Sequence, residues 1–215
     1  MTPDELSPRV LAALPVFPLP DCVLLPGGLL PLHVFEPRYR ELTRHCLAGE
    51  RVMAIARLRS GYEAHYEGRP PVYPDVGIGR VIESEEQGDG RFLLLLAGIA
   101  RAHIVEELAP RHAYREVRAR LLLDTASDPD GLRDGREQLA ALCDHLARLV
   151  EGGDALRDLI RAGEPGDCAD AIAAALVQDA DERQSLLECL CPQTRLDRTI
   201  ELVGALLSKL APVSN

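Results

Sequence analysis

The stretch from Leu14 to Tyr39 constrains the fold more than any other, because prolines and glycines interrupt its hydrophobic runs at short intervals. Proline fixes the backbone angle φ, lacks an N–H and is excluded from helix interiors and central strands. We therefore predict short extended segments joined by tight turns, with the strongest turn at Pro26-Gly27-Gly28. After Pro37 the apolar spacing changes, and residues 38–47 predict a helix.

The rest of the chain divides into a strand-like half and a helix-like half. Near residue 131 the hydrophobic pattern changes from alternation to helical spacing. Strands followed by helices predict an α+β fold rather than a doubly wound sheet. We expect a β-rich subdomain over residues 1–124, a linker over 125–135 and a helical subdomain over 136–215. Strands are predicted over residues 51–58, 76–83, 91–96, 101–107 and 114–124, with a break at Gly98.

Charge and hydropathy narrow the classes of partner. The 215 residues carry 24 basic and 34 acidic side chains, a net charge of −10, and Lys209 is the single lysine. An acidic chain without a basic cluster is a poor match for nucleic acid. No apolar run reaches the roughly 18–20 residues that cross a bilayer, and no secretory leader is evident. The sequence therefore predicts a cytoplasmic protein with no nucleic-acid or membrane partner.

No residue pattern in the chain predicts a metal, a cofactor or a catalytic group. The six cysteines lack a C-x-x-C spacing, and the one-residue gap between Cys189 and Cys191 suits tetrahedral zinc poorly. Cys46 follows His45, but helical neighbours diverge by about 100°. The remaining candidate histidines have no carboxylate at a helpful spacing. They are His103, His112 and His145.

Several spaced motifs resemble the substrate-binding domain of Lon proteases. The opening stretch matches that family's proline-rich pattern and departs from it at Pro20, where an arginine is usual. Residues 76–81 and 96–104 are similar to two of its strands, and residues 179–203 are similar to its helical end. The matching positions in the opening stretch are Leu14, Pro15, Pro18, Leu19, Asp21, Val23, Pro26, Gly27, Pro31, Leu32, Pro37 and Arg38.

The resemblance implies a PUA-like, partly closed barrel with one helix, followed by a helical bundle. It also implies a stand-alone, non-catalytic adaptor or holder that binds unfolded or exposed apolar protein segments. We expect neither the ATPase nor the protease activity of Lon. A phosphate-binding loop and a Ser–Lys dyad each need a suitably placed lysine, and this sequence has none. The alternative is a small-molecule binder or an enzyme built on the same barrel. Weak homo-oligomerisation is compatible with either function.

Aromatic residues are the candidates for peptide binding. Tyr62, Tyr66 and Tyr73 concentrate three of the five tyrosines in the polar, proline-punctuated loop at residues 59–75. Tyrosine supplies apolar area with a polar tip, which suits peptide-binding surfaces. Alternatively, these rings pin the loop onto its own barrel. Phe35 and Tyr39 flank the turn at Glu36-Pro37 and are also candidates, with core packing as their alternative role.

Overall fold

A computed structural model describes residues 6–66, 68–150, 153–161 and 163–210. The chain divides into two compact units, Met1–Leu122 and Leu123–Asn215. Among the described residues, every β-strand lies in the first unit and five helices lie in the second, so the predicted α+β class is confirmed. The first unit contains α1 (Pro8–Ala12), β1 (Leu14–Leu19), β2 (Leu29–Val34), α2 (Pro37–Ala48), β3 (Val52–Arg57), a 3₁₀ helix (Tyr62–His65), β4 (Asp75–Glu86), β5 (Phe92–Glu107) and β6 (Arg115–Leu122).

The six strands form one sheet in the order β2-β5-β4-β3-β1-β6. An additional β5–β6 pairing joins five of the strands in a ring, and β2 lies outside it on β5. The sheet is therefore partly ring-like rather than a regular barrel. All pairs are antiparallel except β1 with β3. The parallel pair requires a crossover, and the chain supplies one through β2 and α2.

Glycines allow a buried segment to lie against the sheet. A Cβ at Gly77 would stand 1.9 Å from the carbonyl oxygen of Leu24, and one at Gly98 would stand 2.1 Å from that of Leu25. The backbone of Leu24 and Leu25 can therefore approach the strands only because these two positions lack a Cβ. The predicted break at Gly98 is wrong, because β5 continues through it. There the glycine exchanges backbone hydrogen bonds with the turn at Gly27 and Gly28.

The first unit is packed on both faces of its central strands. Residues 14–18 of β1 and 52–56 of β3 are buried throughout. Successive side chains of a strand point to opposite faces, and they join different clusters accordingly. Phe17 and Ile55 pack in one cluster with α2, whereas Val16 and Ala54 pack in the other.

The second unit is helical, and its helix starts follow their capping residues. The Asp179 carboxylate accepts the backbone N–H of Glu182 and so caps the start of α6. None of the described helices is both long and apolar enough to cross a membrane. The helices are α3 (Pro129–Ala147), α4 (Asp154–Arg161), α5 (Pro165–Leu176), α6 (Ala180–Glu188) and α7 (Pro192–Leu210).

Helix α3 begins earlier than the sequence analysis placed it. Residues 125–135 were assigned to a linker, yet the helix starts at Pro129. The Asp128 carboxylate accepts the N–H of Gly131, and Pro129 occupies the first turn, where its missing N–H costs nothing. The Asp-Pro pair is therefore a helix start that resembles a loop in composition.

Candidate functional site

A pocket of about 450 Å³ opens in the first unit where the loop after β3 faces the start of α2 and the start of β6. Three parts of the chain that are distant in sequence meet there. The described residues that line it are Pro18, Glu36, Pro37, Arg38, Tyr39, Leu58, Tyr66, Gly68, Arg69, Pro70, Ala113, Tyr114 and Arg115.

Arg38 and Glu36 hold Tyr66 at one wall of the pocket. The Tyr66 hydroxyl donates to Glu36 Oε1 at 2.9 Å, and Arg38 Nη1 donates to the Tyr66 carbonyl oxygen at 3.3 Å. The guanidinium also lies 5.1 Å from the Tyr66 ring centroid. Burial and the hydrogen bond to Glu36 raise the pKa of Tyr66. The phenol therefore stays neutral and remains a hydrogen-bond donor.

Tyr39 forms part of the apolar base of the pocket. Its ring stacks on Phe17 with centroids 4.2 Å apart, and only 5% of the residue is exposed. Burial raises the pKa of Tyr39 to about 12. Arg38 lies 4.8 Å from this ring as well, so one guanidinium contacts both tyrosines. Tyr39 is a core residue that also contributes to the pocket.

Arg115 fixes the opposite wall. Its guanidinium binds both carboxylate oxygens of Glu107, at 3.0 and 2.7 Å, and donates to the Pro70 carbonyl oxygen at 2.7 Å. Arg69 donates to the same carboxylate at 2.6 Å. Bidentate arginine–carboxylate pairs are strong and geometrically specific. The wall is therefore organised before any ligand arrives.

The side chains that line the pocket are mainly aromatic, arginine and proline residues. None of its described lining residues is a serine, threonine, cysteine or histidine. Its lining carboxylate, Glu36, is engaged by Arg38 and Tyr66. Arg38 Nη2 lies 2.8 Å from Glu36 Oε2, but its N–H groups find no well-directed acceptor among the described residues.

The predicted aromatic candidates do not all converge. Tyr66 and Tyr39 line the pocket, whereas Tyr62, Tyr73 and Phe35 are not among its described lining residues. The Tyr62 ring lies 6.2 Å from that of Tyr66. Tyr73 packs instead against two arginine side chains at and just after the end of β3, Arg57 and Arg59.

Phe35 belongs to an exposed apolar surface. In the sequence it lies next to residues that line the pocket. It is 60% exposed and directly precedes Glu36. Leu29 of β2 is 63% exposed, and Leu93 of β5, opposite His33 in the register, is 40% exposed. Because alternate residues share a face, Leu29, His33 and Leu93 lie on the same side of the sheet. We call Leu29, Phe35 and Leu93 the β2 surface.

Sequence reasoning missed the charged half of the pocket. Arg38 falls within the family-like motif, so a signal for it was present, but no spacing marks Arg115 or Glu107. It also missed two histidine–carboxylate pairs. His103 Nδ1 lies 2.6 Å from Asp75 Oδ1, and His112 Nδ1 lies 3.1 Å from Glu41 Oε1. Sequence spacing could not reveal these pairs, because the partners lie 28 and 71 residues away along the chain.

Comparison with known proteins identifies the family of the chain. A model of the "ATP-dependent protease La (LON) substrate-binding domain" matches residues 13–204. The chain belongs to the LON substrate-binding domain family. It is 29% identical over 200 residues to a Lon protease of Anaeromyxobacter dehalogenans, covering 90% of this chain and 23% of that protein. It is 26% identical over 205 residues to Lon protease 2 of Myxococcus xanthus, covering 93% and 24%.

Solved structures of LON domains share the fold. The Lon N-terminal domain protein from Xanthomonas campestris superposes with a TM-score of 0.64 at 22% identity, covering 88% of this chain and 97% of that one. The N-terminal domain of Mycobacterium avium complex Lon protease gives 0.66 at 18% identity, covering 89% and 98%. The chain spans about a quarter of the length of the Lon proteases that it matches.

Proposed function

We propose that this LON-family chain is a non-catalytic recognition module that binds exposed or unfolded apolar protein segments, as an adaptor or holder in cytoplasmic protein quality control. The observation that carries the proposal is the convergence of Tyr39 and Tyr66 on one open pocket with Arg38 between their rings. Aromatic rings and arginine are the side chains most enriched at binding hot spots. The family relationship supports a protein as the ligand.

The β2 surface extends this binding region. Phe35 directly precedes Glu36 and Pro37, which line the pocket. We infer that an apolar segment places one side chain in the pocket and lays its neighbours on Phe35 and Leu29. Exposed apolar patches beside polar groups are typical of protein-binding sites. The rings of Tyr39 and Tyr66, each in contact with the Arg38 guanidinium, then supply the surface on which the bound side chain packs.

The test is a titration of a labelled, permanently unfolded model protein by fluorescence anisotropy, with variants matched for exposure. Phe35→Ser removes an apolar side chain that is already exposed, so folding should be unaffected. Loss of a hot-spot residue costs about 2 kcal/mol or more, and we expect an affinity ~30-fold lower. Leu123→Ser is the matched control, because Leu123 is 65% exposed but lies in the second unit.

The tyrosine loop needs a second comparison, because Tyr66 also anchors the loop. We expect Tyr66→Ala to lower both affinity and melting temperature, and Tyr66→Phe to keep most of the affinity while losing the bond to Glu36. Tyr73→Ala, outside the described pocket lining, should leave affinity within about threefold, since residues outside the hot spot contribute little. Unchanged affinity per folded molecule in both Phe35→Ser and Tyr66→Ala would refute the proposal.

A small-molecule ligand is the second candidate. The pocket volume lies within the roughly 300–1,000 Å³ typical of ligand sites, and three arginines line it. An anionic small molecule that raises the melting temperature of the wild type, but not of Arg38→Met, would favour this function. Weak self-association through the β2 surface would appear as concentration-dependent sedimentation that Phe35→Ser removes.

A further inference from the structure

We propose that His45, His112 and Glu116 form a binding site for a divalent transition-metal ion of the zinc class. One ring nitrogen of each histidine and one carboxylate oxygen of Glu116 lie within 4.8 Å of one another. The three residues come from the last turn of α2, the connection after β5 and strand β6. Because about 70 residues separate His45 from the other two, no sequence motif marks the site, and the sequence analysis expected none.

The neighbours of His112 prepare it as a ligand. Its Nδ1 lies 3.1 Å from Glu41 Oε1, so we assign the proton to Nδ1 as donor to that carboxylate. The other nitrogen, Nε2, then carries the free lone pair and faces Glu116 Oε2 at 4.0 Å. A histidine whose second nitrogen donates to a carboxylate is the usual arrangement of a metal ligand. The stacked Tyr114 ring, 4.8 Å away and tilted by 3°, holds the imidazole plane.

The charge of the cluster favours a cation. Glu116 is only 8% exposed. Among the described residues, the ion-pair partner of its carboxylate is His112. Glu41 places a second carboxylate beside the same imidazole. A largely buried carboxylate is costly unless it is paired or coordinates a metal. A bound divalent ion would therefore offset the charge of both carboxylates.

The distances suit a small ion after modest closure. Zinc binds imidazole nitrogen and carboxylate oxygen at about 2.0–2.2 Å, which puts tetrahedral ligand atoms roughly 3.4 Å apart. The 4.0 Å separation of Nε2 and Oε2 must shorten by about half an ångström to reach that value, and the widest separation in the cluster, up to 4.8 Å, by up to ~1.4 Å. His45 is exposed, and its Nδ1 contacts the Tyr114 hydroxyl, so closure onto an ion would turn this ring away from that hydroxyl. A cavity of about 390 Å³, lined by His45 and Glu116, leaves room for a water as fourth ligand.

The ion would join two parts of the first unit. His45 and Glu41 lie on α2, whereas His112 and Glu116 flank Tyr114 at the start of β6. Tyr114 and Arg115 line the pocket described above. A ligand set of two imidazoles and one carboxylate favours zinc-like ions over calcium and magnesium, which prefer oxygen ligands.

The experiment is a zinc titration of the full chain in competition with a chromogenic chelator. It is carried out in a Cys189→Ser/Cys191→Ser background, because these two partly exposed thiols could also bind zinc. We expect one site per chain, with affinity at least 100-fold lower in His112→Ala and in His45→Ala. Glu41→Ala should lower affinity 10–100-fold, the range for residues that orient a ligand. His103→Ala is the matched control, since its imidazole also pairs with a carboxylate.

A melting experiment separates a site from incidental binding. Zinc should raise the melting temperature of the wild type and of His103→Ala, because a ligand that binds the folded state stabilises it. It should not raise that of His112→Ala. Glu116→Gln preserves side-chain volume at the buried position and should lose zinc affinity while remaining folded. No zinc binding by the wild type, or equal affinity in wild type and His112→Ala, would overturn the proposal.

Discussion

Arg195 is buried at 1% exposure in the second unit, and replacing it with methionine tests how much its ion pairs stabilise that unit. Its Nη1 and Nη2 donate to the two carboxylate oxygens of Asp124 at 2.8 and 2.7 Å. Its Nε lies 3.1 Å from Asp170 Oδ1, an ionic contact without good hydrogen-bond geometry. Arg195→Met keeps much of the side-chain volume and removes the charge shared by both carboxylates.

The two carboxylates contribute unequally to the expected cost. Asp124 is 40% exposed, so water can replace its partner, and exposed pairs contribute about 0–1 kcal/mol. Asp170 is 2% exposed, and removing one member of a buried pair typically costs about 3–5 kcal/mol. We therefore expect Arg195→Met to lower the free energy of unfolding by about 3–5 kcal/mol, nearly all through Asp170.

The aromatic residues allow the two units to be followed separately. All five tyrosines and three phenylalanines lie between residues 17 and 114, and the chain has no tryptophan. Near-ultraviolet circular dichroism during urea unfolding therefore reports on the first unit, whereas the far-ultraviolet helical signal weights the second. Arg195→Met should shift the helical transition to lower urea and leave the tyrosine transition in place.

A double variant decides whether charge is the cause. Arg195→Met/Asp170→Asn removes both charges, so it should regain at least half of the lost stability. Lowering the pH should also reduce the deficit of the single variant, because protonation removes the buried charge. A deficit below about 1 kcal/mol, which is the range of a surface pair, would refute the argument. So would a double variant no more stable than Arg195→Met.

Three further predictions concern other parts of the chain. Gly77→Ala should destabilise the first unit by several kcal/mol or prevent its folding, because the added Cβ would stand 1.9 Å from a backbone oxygen; urea unfolding measures it, and Gly88→Ala, in open space, is the control. Hydrogen bonds from Thr194 and Ser127 lower the pKa of Cys191 to about 7, so its alkylation rate should be half-maximal near that pH and fall below it, which mass spectrometry can follow. Asp179→Ala should lower the stability of the second unit by about 1 kcal/mol through loss of the N-cap, measured by the helical transition.

Local patterns predicted the fold better than the site. The short extended segments before Tyr39 and the helix after Pro37 were predicted from adjacent residues. The structure confirms both, as strands β1 and β2 and helix α2. The parallel pairing of β1 with β3 and the charged wall around Arg115 depend on contacts between distant segments. The loop tyrosines were identified by composition, which cannot tell Tyr66, facing the pocket, from Tyr73, packed on Arg57. That distinction depends on the orientation of each tyrosine side chain in the folded loop.

Strand β2 leaves one boundary of the sheet open, since it hydrogen-bonds to β5 alone among the described strands. An open strand boundary is a template for further strands, including those of aggregating chains. Pro31 lies in the middle of β2 and supplies no N–H. An extended polypeptide lying alongside β2 therefore cannot form an uninterrupted ladder with it. A segment that docks on Leu29 and Phe35, as proposed, would therefore be held through side chains and could dissociate without breaking strand hydrogen bonds.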